Sequence, residues 1–199
     1  MKILGTRKAI QDALAYAYPA DSSMAEYLDY SCRIDKSRRT GIEQHVMAIQ
    51  FAKIRAAINE QPAPIPEWLY YCYGPDLELA NKSKQKRLIS QMLAPKLHKM
   101  YVSPFKRDRL EKLCLCTIED YRLGLFSAQR LERQDLTKAR RLPIVVYCEL
   151  LDVHDNHWTR DWEAYRKKAM GLIGDMDDKG ISHVSIIVRE IREAEYDGT

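Results

Sequence analysis

Between Val146 and Trp162 the chain runs Val-Tyr-Cys-Glu-Leu-Leu-Asp-Val-His-Asp-Asn-His-Trp-Thr-Arg-Asp-Trp. Two of these side chains have the chemistry to read base edges, since an Asn amide pairs bidentately with adenine and an Arg guanidinium with guanine. Asn156 and Arg160 stand at i, i+4 and share one face of a helix. His157 and Thr159 lie between them and add polar groups on the outward side. Cations bracket the segment: Lys138, Arg140 and Arg141 precede it, and Arg166, Lys167 and Lys168 follow it. Basic residues on both sides of a reading helix are what phosphate contacts need. The partner expected for this set is double-stranded DNA.

Rival chemistries have less to stand on. The chain contains no phosphate-binding Gly-rich loop, no Gly-x-Ser-x-Gly elbow and no His-Glu-x-x-His. Asp175-Met-Asp-Asp178 is an acidic cluster able to attract a metal, but it lacks the Gly and the terminal Glu of a calcium loop. At a helix start, such carboxylates serve as caps and dipole partners. His154, Asp155 and His157 suggest a nuclease only if further acids join them, and the local sequence supplies none. Cys114 and Cys116, at i, i+2, point to different sides of a helix and make a poor metal pair. The expectation is therefore a protein that is not an enzyme, with no cofactor and no metal.

Charge is distributed unevenly. The formal net charge is +4 over 199 residues, yet the stretch from Lys82 to Lys112 carries ten Lys/Arg against Asp108 and Glu111. Residues 171–199 carry three basic and seven acidic side chains. This asymmetry points to an anionic partner on one face, either nucleic-acid phosphates or an acidic protein. The five cysteines, an odd number without an export signal, read as free thiols that act as small buried hydrophobes. The absence of a long apolar run and of a signal-like N-terminus predicts a cytoplasmic protein with no membrane partner.

The elements that must position the segment read as helices throughout. Arg7 to Tyr18 is a helix stopped by Pro19, and Asp21 or Ser22 caps another through Cys32. Gly41 to Asn59 carries an apolar stripe of Val46, Ile49, Ile54 and Ile58. Pro66 opens a short helix to Tyr73, and Asp76 caps a basic helix to Leu93 that Pro95 interrupts. Ser103-Pro104 starts a helix to about Leu123, Gly124 breaks it, and a short helix follows from Phe126 to Gln134. Ile181, Val184, Ile187 or Val188, and Ile191 form one helical face. The fold class is all-α, a helical bundle with an N-terminal helical domain over 1–102 and a DNA-binding domain over 103–199.

The Val146–Trp162 segment resembles the helix-turn-helix of bacterial and phage regulators. Cys148 stands at the small position where two helices approach closely, and Leu151 is the apolar residue before the turn. Asp152 replaces the usual Gly and so must turn left-handed, Val153 is the apolar turn residue, and Asp155 caps the second helix. Trp158 takes the buried position, and the reading helix continues into Tyr165-Arg-Lys-Lys168. Together with the basic helices, the segment is similar to phage transcription regulators, and most nearly to the antitermination regulators of late phage operons. That resemblance implies promoter DNA and RNA polymerase as partners. A helical protein-interaction or DNA-packaging adaptor is the alternative.

Overall fold

The computed structural model describes residues 3–16, 41–75, 79–99, 104–130 and 141–196. Among them the order is α1 (Ile3–Tyr16), α2 (Gly41–Asn59), α3 (Ile65–Tyr73), α4 (Leu79–His98), α5 (Pro104–Arg130) and α6 (Ile144–Leu151). A 3-10 turn (Asp155–His157), α7 (Trp158–Asp161) and α8 (Glu163–Tyr196) follow. No strand occurs among the described residues, so the fold is all-α, as expected. The helix expected from Asp21 or Ser22 to Cys32, the Asp76 cap and the boundary expected near Met100 to Ser103 lie outside the described residues. No helix among the described residues is long and apolar enough to cross a membrane.

Two compact units form, Met1–Ser83 with Asp177–Thr199, and Lys84–Met176. In the first, α1 packs on α2 and α3. Ile10, Ala13 and Leu14 are buried on α1, Ile54, Ala57 and Ile58 on α2, and Trp68, Leu69 and Cys72 on α3. The α1 and α2 sets follow the i, i+3, i+4 period of one helical face, whereas α3 is buried on most sides, with Ile65, Tyr71 and Tyr73 also inside. Ile181, Val184 and Val188 of α8 are buried at the period read from the sequence. The stripe expected on α2 is only half realised, because Val46 and Ile49 are 46% and 48% exposed. Asp177 is fully buried and accepts from Arg7 Nη2 at 2.8 Å, Trp68 Nε1 at 2.9 Å and the Tyr73 hydroxyl at 2.9 Å. Residues 175–178 therefore lie inside α8 and not at a helix start, and the cluster serves this unit through one buried carboxylate.

In the second unit α4 and α5 run antiparallel, tied by Ser90 Oγ to the Glu111 carbonyl at 3.3 Å and by Lys86 to Glu119 at 3.4 Å. Pro95 does not interrupt α4, which continues to His98. It stands on the exposed side, where the freed carbonyl can tilt towards water. Nor does Gly124 break α5, which is continuous to Arg130. A Cβ at Gly124 would lie 3.0 Å from Arg141 Nη1, so this glycine gives room for the arginine to lie across the helix.

Candidate nucleic-acid interface

The corner begins with Pro143, whose carbonyl accepts from Val146 N at 3.1 Å as α6 starts. The helix ends at Asp152, which is left-handed with φ 53° and ψ 58°. Val153 N reaches the Cys148 carbonyl at 3.0 Å and Asp152 N the Glu149 carbonyl at 3.3 Å. These two bonds form a Schellman closure, which satisfies carbonyls that the helix end would leave orphaned. Asp152 thus takes the left-handed conformation expected of it. Tyr147, Cys148 and Leu151 face inward from α6 and Trp158 from α7, with the Tyr147 and Trp158 rings 5.1 Å apart.

The second helical limb differs from expectation. Asp155 does not cap a long helix; it opens the 3-10 turn, where His154 Nδ1 and Asp155 Oδ1 both accept from Asn156 N. α7 is a single turn, and Trp162 leaves the helical region with φ −129°. The reading helix therefore does not run on into residues 165–168, which belong to α8. Lys106 of α5 stabilises this break. Its ammonium donates to the Asp161 carbonyl at 3.2 Å and sits 5.6 Å from the Trp162 ring centre and 5.7 Å from that of Tyr165. A continuous helix would satisfy that carbonyl from within.

A buried carboxylate anchors the corner from behind. Asp120 of α5 is fully buried and accepts from Leu142 N, the Tyr147 hydroxyl and Arg166 Nη2, each at 2.7 Å. Burial raises the Tyr147 phenol above its ordinary value. The Arg166 guanidinium also lies over the Tyr147 ring at 5.1 Å. One charge thereby links α5, the lead into α6, α6 itself and the start of α8.

The residues expected to read bases do not share one helix, as the i, i+4 reading required, because the 3-10 turn ends at His157 before α7 begins. Asn156, His157, Thr159 and Arg160 are all exposed on the 3-10 turn and α7. Arg160 Nη2 meets His157 Nδ1 at 2.8 Å and Asp161 Oδ2 at 2.9 Å. The hydrogen bond from Arg160, with help from Lys106, holds the Asp161 carboxyl below its usual range. The expected phosphate holders are placed less uniformly. Lys168 is exposed, and Lys167 is exposed but paired with Glu163 at 2.9 Å. Arg166 is committed to Asp120, and Arg141 is half-buried with Nη1 3.8 Å from Met170 Sδ. Lys138 and Arg140 lie outside the described residues.

Asp120 and Lys106 were not singled out in the sequence. Asp120 had a faint signal, an acid in register with the buried Leu113 and Thr117 on one face of α5. Among the described residues no group of three or more His, Cys, Asp or Glu could hold a metal ion.

The described residues make an all-helical protein whose corner at residues 143–162 is polar outside and apolar inside. Within it, residues 30–198 match the family of phage antitermination protein Q, and the chain belongs to that family. The phage antitermination resemblance seen in the sequence holds at this level. No curated protein and no solved structure matches the chain.

Proposed function

We propose that this chain is a transcription antitermination regulator that binds a specific site in double-stranded DNA and acts with RNA polymerase in the cytoplasm. Its DNA-binding part lies within residues 103–199. The observation that carries the reading is the corner itself: beside the left-handed closure at Asp152 and the buried Trp158, Asn156, His157, Thr159 and Arg160 are all exposed. The reading gives this corner its phosphate contacts through Lys167, Lys168, Arg141, Lys138 and Arg140. Arg166 supports it from behind through Asp120. The reading assigns no catalytic step and needs no metal or cofactor.

The deciding experiment is selection of binding sequences from a random duplex pool with the full chain. Recovery of one consensus, whose binding weakens by orders of magnitude between low and physiological salt, supports the proposal. Recovery of unrelated sequences would leave a charge-driven binder and defeat it.

A further inference from the structure

The basic helix α4 has a face that the DNA-binding reading leaves unused. No acidic residue occurs between Glu78 and Asp108, so α4 carries no carboxylate of its own. Its inner side buries Ile89, Ser90, Leu93 and Leu97. The opposite side forms two neighbouring i, i+4 rows. One row is Lys84, Leu88, Met92 and Lys96, and every member is exposed. The other is Arg87, Gln91 and Pro95, continued by Lys99 in the turn that follows the helix, also exposed. Both rows are cationic at the ends and uncharged in the middle. Leu88 and Met92, each 40% exposed, form the centre. None of these four cations meets a carboxylate among the described residues, since Glu119 engages Lys86, off this face, and Arg122.

We infer that this face of α4 docks an acidic amphipathic helix of a protein partner. An apolar centre with a charged rim is the anatomy of a protein interface. A pair of apolar side chains one turn apart is how a helix presents anchors to a groove or to another helix. Met adapts its shape to a partner side chain. A phosphate backbone would use the cations and leave Leu88 and Met92 in water, which makes nucleic acid the poorer occupant. The row from Lys84 to Lys96 spans about 18 Å, so the complementary segment has roughly three helical turns. Glu or Asp at its ends would meet the cation pairs. This inference is independent of the DNA-binding edge and stands or falls separately from it.

The test titrates the full chain with a designed eighteen-residue helical peptide that carries Leu along one face and Glu around it. The controls are a scrambled peptide of the same composition, polyglutamate and a random-sequence duplex. Binding of the amphipathic peptide at least about tenfold tighter than the scramble is expected. Leu88→Ser with Met92→Ser should remove that preference, and Lys84→Glu with Arg87→Glu should weaken binding by a similar factor. Both pairs are exposed, so unchanged melting curves would show that the fold is kept. No binding of the peptide at low salt would overturn the inference. So would polyglutamate or DNA binding this face as tightly as the peptide, with the Leu88 and Met92 pair of substitutions silent.

Discussion

Asp120 accepts from three donors that come from separate parts of the second unit, and it is wholly removed from water. Such a carboxylate is stable only while its partners stay in place, because an unmatched charge in a protein interior is costly. Replacing it with Asn keeps the shape, removes the ion pair with Arg166, and turns an NH2 group towards donors. Asp120→Asn should therefore cost about 3–5 kcal/mol in a urea unfolding experiment. A loss below about 1 kcal/mol would mean that the corner does not depend on this residue. The buried cysteines behave in the opposite sense, because their inertness is the point. Burial, then the Glu111 charge, pushes the Cys114 thiol up to about 12, and burial, then Asp120, pushes Cys116 up to about 11. A thiol raised by folding favours the folded state below its ordinary pKa of 9.0, and that contribution is lost as pH rises through 11 to 12. At pH 8 the thiolate fraction is about one in a thousand or less. Iodoacetamide at that pH should leave both residues unmodified in the native protein and label them once denaturant is added, as peptide mass spectrometry would read. Native labelling of either would contradict their burial.

Helix ends and helix contacts put local rules to the test. Asp152 takes a left-handed conformation that costs a non-glycine residue roughly 1–2 kcal/mol, somewhat less for Asp than for bulkier side chains. Its side chain is 95% exposed and its ion pair to Arg109 is long, at 3.8 Å. Asp152→Gly should thus stabilise the protein by about 0.5–1 kcal/mol, whereas Asp152→Val should destabilise it. A lower melting temperature for the Gly variant would show that the Asp side chain matters more than its backbone. The glycines of α8 divide by what surrounds them. A Cβ at Gly171 meets nothing within 4 Å, so Gly171→Ala should gain about 0.8–1 kcal/mol from helix propensity. At Gly180 a Cβ would come within 2.9 Å of Ile65 Cγ2 and 3.1 Å of Leu69 Cδ2, so α8 must approach α3 there without a side chain. Gly180→Ala should instead lose about 1–3 kcal/mol by overpacking. Equal shifts in melting temperature for the two variants would remove that distinction.

Across the whole molecule, what could be read in the sequence was what local spacing encodes. The all-helical class, the buried period of Ile181, Val184 and Val188, and the inward Cys148, Leu151 and Trp158 follow from residue type and interval. The left-handed Asp152 follows from its place in the motif. What spacing could not encode was the choice of distant partners: Asp120 beneath Tyr147, Lys106 at the Trp162 break, and the division of the 34-residue α8 between two units. The Gly124 and Pro95 signals misled for the same reason, since a tertiary contact in one case and an exposed helix side in the other outweighed the local preference. If the corner binds DNA as proposed, its base-reading and phosphate-holding residues fail differently when removed. Arg160 is exposed and can turn towards a base edge only at the expense of its surface contacts with His157 and Asp161. Such surface pairs are worth little, so base contact can replace them readily. Loss of a bidentate guanine contact costs about 1–3 kcal/mol and relaxes the preference at one base pair. Loss of a phosphate contact weakens every sequence alike and lowers the salt slope by about one. Arg160→Ala should therefore narrow the gap between the selected site and random duplex while leaving the affinity for random duplex nearly unchanged. Lys168→Ala should preserve the gap and weaken both. Anisotropy titrations at several salt concentrations separate the two patterns. If Arg160→Ala instead weakens both duplexes equally, then Arg160 holds a phosphate, and the base-reading edge must be sought elsewhere on the corner.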